Sequence, residues 1–139
     1  MFRARQLIAL ETAPAARRAL AERCYATAYA ALLADDERTA LEMFCALAVL
    51  APSDARAWAG LAVCSQRHGL DQAALALFQL GAWVDPERAA LCHVGRGRAL
   101  SRLGRDAAAD DALSDAWQAT DDLVLRAGIE RERKLKCLT

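Results

Sequence analysis

The segment ALEMFCALAVLAP, from Ala40 to Pro52, returns further along the chain as ALALFQLGAWVDP, from Ala74 to Pro86. Ala40 matches Ala74, Leu41 matches Leu75, Phe44 matches Phe78, Ala48 matches Ala82 and Pro52 matches Pro86. A chain that repeats in this way is built from stacked copies of one supersecondary unit, because a single unit cannot bury its apolar face alone. The step from Ala40 to Phe44 is about one helical turn, so each copy carries a helix with one apolar side.

A period of about 34 residues, with its Ala, its aromatic four residues on and its Pro eight after that, is the signature of tetratricopeptide helix pairs. Composition agrees. Hydrophobic residues make up 55% of the chain, but many are Ala, and β-branched and aromatic residues are scarce, which favours close-packed helices over sheet. The expected fold is all-α: three tetratricopeptide-like hairpins in a right-handed superhelical stack. A length of 139 residues suits a single domain. Its predicted parts are an N-terminal helical segment over 1–20, repeats over about 21–54, 55–88 and 89–120, and a capping helix over about 121–138.

Turn chemistry sets the boundaries. First helices are predicted to end at Asp35-Asp36, His68-Gly69 and Leu103-Gly104, where the two glycines accept the positive φ of a helix C-terminus. Second helices are predicted to start near Glu37, Asp71 and Asp106, whose charge complements the helix dipole. Pro52-Ser53-Asp54 and Asp85-Pro86-Glu87 stop one hairpin and start the next. The third repeat is one residue longer, since Ala74 to Ala109 and Gly69 to Gly104 each exceed the step from Ala40 to Ala74, which places an insertion near Glu87-Arg88. A small residue is still expected at each helix crossing, as Ala28, Ala62 and Gly97. Before the repeats, Phe2, Leu7, Ile8 and Leu10 form an amphipathic stretch interrupted near Pro14. After them, the polar residues of Leu123 to Leu138 would cover the open end of the stack.

Eighteen basic and eighteen acidic residues cancel and are interspersed, so the chain carries no electrostatic footprint for nucleic acid or an anionic membrane. Five cysteines, an odd number without a C-x-x-C, suit a reducing cytoplasm. The apolar run Leu7-Ile8-Ala9-Leu10 is too short for a signal-peptide core or a membrane span, so neither export by the general pathway nor membrane insertion is expected.

In such a stack the first helices line a concave surface, with inward positions at helical spacing. The first repeat would present Glu22, Tyr25, Tyr29, Leu32 and Leu33; the second Arg56, Ala59, Val63, Gln66 and Arg67; the third Leu91, Val94, Arg98, Ser101 and Arg102. The predicted partner-binding set is Tyr25, Tyr29 and Leu32, then Arg56, Ala59, Val63, Gln66 and Arg67, then Leu91, Val94 and Arg98. Tyr25 and Tyr29, the only tyrosines, share one helical face and offer flat amphipathic rings that bury area at low entropy cost. Trp58, Trp83 and Trp117 are expected in the core between repeats.

No catalytic, cofactor or metal site is legible. His68 sits at a predicted turn, and Cys92 and His93 point to different faces of one helix, so neither makes a nucleophile–base couple or a ligand set. The chain has no Gly-rich phosphate loop and no nucleophile elbow. Asp110-Asp111 and Asp121-Asp122 read as solvated helix surface.

The run Gly60-Leu61-Ala62-Val63-Cys64-Ser65-Gln66-Arg67-His68-Gly69, followed by Ala74, Phe78 and Gly81-Ala82, resembles the central repeat of the class II chaperones of bacterial type III secretion, the low-calcium-response H family. The resemblance covers about residues 20 to 120. It implies a bacterial cytoplasmic chaperone that holds a pore-forming translocator before export, gripping an extended, Pro-containing segment of the client in the groove. In that register Tyr25 and Tyr29 fall on aromatic groove positions and Leu32 replaces a third. The partners implied are a secreted translocator and a second copy in a homodimer, although the segment before the repeats is shorter than usual in that family. A tetratricopeptide adaptor, or a chaperone for another secretion component such as the needle subunit, is the alternative.

Overall fold

The computed structural model describes residues 13–137, apart from the side chain of Lys136. Phe2, Leu7, Ile8 and Leu10 lie outside the described residues, as does Leu138. The described chain is helical throughout, in the order α1 Pro14–Leu33, α2 Glu37–Leu50, α3 Ala55–Arg67, α4 Asp71–Val84, a 3-10 turn Pro86–Arg88, α5 Ala89–Arg102, α6 Asp106–Gln118 and α7 Leu123–Cys137. Each of α1–α2, α3–α4 and α5–α6 is an antiparallel hairpin, and the hairpins stack.

The second helices start at Glu37, Asp71 and Asp106, the acidic positions expected from sequence. The three hairpin turns are built alike. Asp35, Gly69 and Gly104 all take positive φ, at 57°, 73° and 75°. The next N–H reaches back to Ala31, Ser65 or Leu100, satisfying a helix-end carbonyl. Asp36 then accepts a hydrogen bond from the Thr39 N–H, capping α2.

Residues 14–20, assigned from sequence to a separate N-terminal segment, instead form the first turns of α1. Pro14 stands in the first turn, where its missing N–H costs nothing, and the Ala- and Arg-rich stretch after it continues as helix. Arg17 Nε donates to the Leu50 carbonyl at 2.7 Å, tying this extension to the end of α2. The extra residue of the third repeat is absorbed at the junction, where the 3-10 turn precedes α5.

Phe44, Phe78 and Leu113 occupy equivalent places in the three hairpins and are all buried. A Cβ on Gly60 would lie 2.2 Å from the Phe44 ring, so the glycine lets α3 approach α2 closely. Ala28, Ala62 and Gly97 are buried at the crossings, as expected. The tryptophans depart from expectation. Trp58 and Trp117 are half-buried, but Trp83 is 80% exposed. The buried face of α4 carries Ala74, Leu75, Phe78 and Gly81, and Trp83 projects from the other side. Val49, its counterpart one repeat earlier, is exposed too.

α7 packs on the last hairpin through Ile129, which is buried with Val94, Leu113 and Ala116. Asp122 caps it, accepting from the Val124 N–H at 2.8 Å. Among the described residues, no helix is long and apolar enough to cross a membrane.

Candidate functional site

Along the stack, α1 touches α3 and α3 touches α5, more extensively than the second helices touch one another. That asymmetry makes the first-helix side the concave one. On it lies a cavity of about 160 Å³. An apolar cavity of roughly 150 Å³ accommodates a benzene-sized group, so this one suits a single large apolar side chain.

Its walls come from all three first helices: Tyr25, Tyr29 and Leu32 from α1, Ala59, Gly60 and Val63 from α3, and Leu91 and Cys92 from α5. Phe44 of α2 closes the floor. The two tyrosine rings stack with centroids 6.1 Å apart and planes at 30°. Tyr29 is 51% exposed and Leu91 59% exposed, so the cavity opens to solvent between apolar lips.

Charge is concentrated at the N-terminal end of α3. The Arg56 guanidinium lies over the Tyr25 ring at 4.4 Å. It also pairs with Glu22, at 2.5 Å, and with Asp54, at 2.7 Å. Arg88 reaches both Asp54, at 3.7 Å, and Asp85, at 3.3 Å. Asp85 in turn accepts the N–H of Ala55 at 3.0 Å, so a residue from the end of the second hairpin caps the first helix of that same hairpin. Burial would raise the Asp54 carboxyl, but hydrogen bonds from the Arg56 side chain and N–H, with the charges of Arg56 and Arg88, hold it below its ordinary value. The hydrogen bonds that Arg56 donates to Asp54, and then to Glu22, keep its guanidinium firmly protonated. The Cys92 thiol is pushed up to about 11, first by burial and then by the charge of Asp85.

Seven of the eleven predicted groove residues therefore meet around one cavity: Tyr25, Tyr29, Leu32, Arg56, Ala59, Val63 and Leu91. The other four lie elsewhere. Arg67 turns to the Leu32 carbonyl and to Asp35, tying the first hairpin turn to α3. Gln66 stands off the cavity, its Nε2 without a partner among the described residues. Val94 is buried beneath α7, and Arg98 pairs with Glu132 of α7 at 2.6 Å. Arg88 and the two buried aspartates were missed from sequence. One signal for them exists: Glu22 and Arg56, and again Asp54 and Arg88, are opposite charges one full period apart, which a stack of that period places side by side.

No protein-family model matches the chain, and no curated protein matches its sequence. Solved structures do match. The TPR2B domain of yeast Sti1, in its pHsp70 complex, is 17% identical, with a TM-score of 0.72 over 81% of this chain and 91% of that one. The fold is that of tetratricopeptide repeats. The Yersinia enterocolitica type III secretion translocator chaperone SycD matches at 23% identity and a TM-score of 0.73, over 83% of this chain and 86% of its own. SycD in complex with a peptide of the translocator YopD is 25% identical, with a TM-score of 0.68 over 83% and 92% of the two chains. Among the described residues, no group of three or more His, Cys, Asp or Glu is placed to hold a metal.

Proposed function

We propose that this protein is a bacterial cytoplasmic chaperone of type III secretion, binding an extended apolar segment of a secreted translocator in the concave groove before export. The observation that carries this reading is the solvent-open apolar cavity formed by Tyr25, Tyr29 and Leu32 against α3 and Leu91. A groove of this kind grips an extended chain by side-chain pockets, and the peptide-bound SycD structure lends support as a tetratricopeptide fold of matching size. The mechanism is stoichiometric: the groove sequesters an aggregation-prone segment, and mass action favours the complex while free client is scarce.

Co-expression with a candidate translocator tests it. A chaperone brings an otherwise insoluble client into a soluble complex, and the Tyr25→Ala/Tyr29→Ala protein does not. The likeness to the Sti1 domain favours a second reading, a tetratricopeptide adaptor or a chaperone of another secretion component such as the needle subunit. An adaptor would capture a partner that is soluble on its own.

A further inference from the structure

The Arg98–Glu132 pair joins residues one repeat period apart, as Glu22–Arg56 and Asp54–Arg88 do. That spacing sets α7 in the register of the first helices, where the first helix of a fourth hairpin would stand. A shift by two repeats, the second of them one residue longer, carries Tyr25 and Tyr29 of α1 onto Val94 and Arg98 of α5. The same shift carries Arg56, Ala59, Gly60 and Val63 of α3 onto Leu125, Gly128, Ile129 and Glu132 of α7. All six of these counterparts line a second cavity, of about 200 Å³, between α5 and α7. It is the repeat-equivalent of that part of the first cavity, two repeats further along the groove, while Ser101 and Leu113, the counterparts of Leu32 and Phe44, line a neighbouring cavity.

We propose that this cavity is a second subsite for the same bound segment, taking an apolar side chain with a carboxylate beside it; the proposal rests on the peptide-groove reading above. Val94, Leu125 and Ile129 supply apolar walls, and Leu135, 58% exposed, supplies an apolar lip. Gly128 keeps the space open, since a Cβ there would meet nothing within 4 Å. The electrostatics differ from the first cavity, where Arg56 and Arg88 are already matched by acids. Here Arg98 is matched by Glu132, while Arg131 lines the cavity exposed and without an ion pair among the described residues. Its guanidinium is available to a client carboxylate. Helices in contact lie about 8–10 Å apart, so two steps along the groove span about 16–20 Å, which an extended chain covers in about five or six residues.

Two sets of fluorescein-labelled synthetic peptides, read by anisotropy against the full chain, test the proposal. One carries a single leucine in a Pro/Ser background; the other adds a Leu-Glu pair four to seven residues later. The expected result is that the best two-site peptide binds at least about tenfold tighter, and that Gly128→Leu removes this gain while leaving the one-leucine peptide unaffected. Arg131→Glu should reverse the preference for Leu-Glu over Leu-Lys. Leu135→Ser, at an exposed position, gives the same readout should Gly128→Leu fail to fold. No gain from the second leucine, or a gain untouched by all three substitutions, overturns the second subsite while binding that depends on Tyr25 and Tyr29 keeps the groove. Binding of both peptides unchanged in the Tyr25→Ala/Tyr29→Ala protein overturns the groove and the subsite together.

Discussion

The ring of Phe78 occupies the space beside Gly95 so fully that a Cβ on the glycine would lie 2.3 Å from it. Phe44 and Gly60 make the same contact one repeat earlier, at 2.2 Å. In both places a second-helix aromatic seats against the next hairpin's first helix. Gly95→Ala should cost about 1–3 kcal/mol through overpacking, and Phe78→Ala about 3–5 kcal/mol through the cavity it leaves. Urea unfolding measures both. A Gly95→Ala protein as stable as the parent would mean that the contact is not made.

Tyr25→Ala with Tyr29→Ala should leave helicity unchanged, because neither ring is fully buried. Client affinity should fall by at least about 2 kcal/mol, the usual scale for paired aromatic anchors. Calorimetric titration with the co-purified client reads the loss, and far-ultraviolet circular dichroism checks the fold. Equal affinity would move the site off this face.

Acid should weaken the α3 charge cluster. Hydrogen bonds from Arg56 lower the Glu22 carboxyl, and Asp54 is lowered too despite its burial. A carboxyl with a folded pKa below its unfolded one contributes stability that is fully present above the ordinary carboxylate value of about 4 and is lost as pH falls through the lowered value. Melting temperature should therefore drop as pH goes from about 5 towards about 2. Asp54→Asn should cost about 1–3 kcal/mol near neutral pH and flatten that drop, whereas an unaltered slope would show that Asp54 does not contribute to it.

The five thiols should divide by position. Cys45 and Cys137 are exposed, while Cys24, Cys64 and Cys92 are buried. Iodoacetamide at about pH 8 should modify the first two quickly and leave the others protected, as read by intact mass and peptide mapping. For Cys92, raised to about 11, the stability from its neutral form is fully present below the ordinary thiol value and is lost as pH rises through about 11. Early modification of Cys92 in the folded protein would show that its cavity opens far more than the structure implies.

The helix starts and turns were legible because they rest on local chemistry. Asp36 caps its own helix, and Gly69 and Gly104 hold the positive φ that a tight helix end needs. Trp83 was misread because a large apolar residue looks like core whichever side of a helix it occupies. Its exposure is fixed by which face of α4 meets α3 and α5.

The repeat period determined the hairpins, their stacking and a first-helix concave face, since each follows from neighbours along the chain repeating one pattern. Tertiary structure decided which inward positions share a cavity. It brought Arg88 to the rim from the far end of the second hairpin, where the buried Asp85 pairs with it. It also set α7 over Val94 and Arg98, so that two residues expected on the open groove became the wall of a second cavity. The reason is physical: burial and ion pairing depend on how far successive hairpins rotate and on what covers the last one. Those quantities arise only when the units meet.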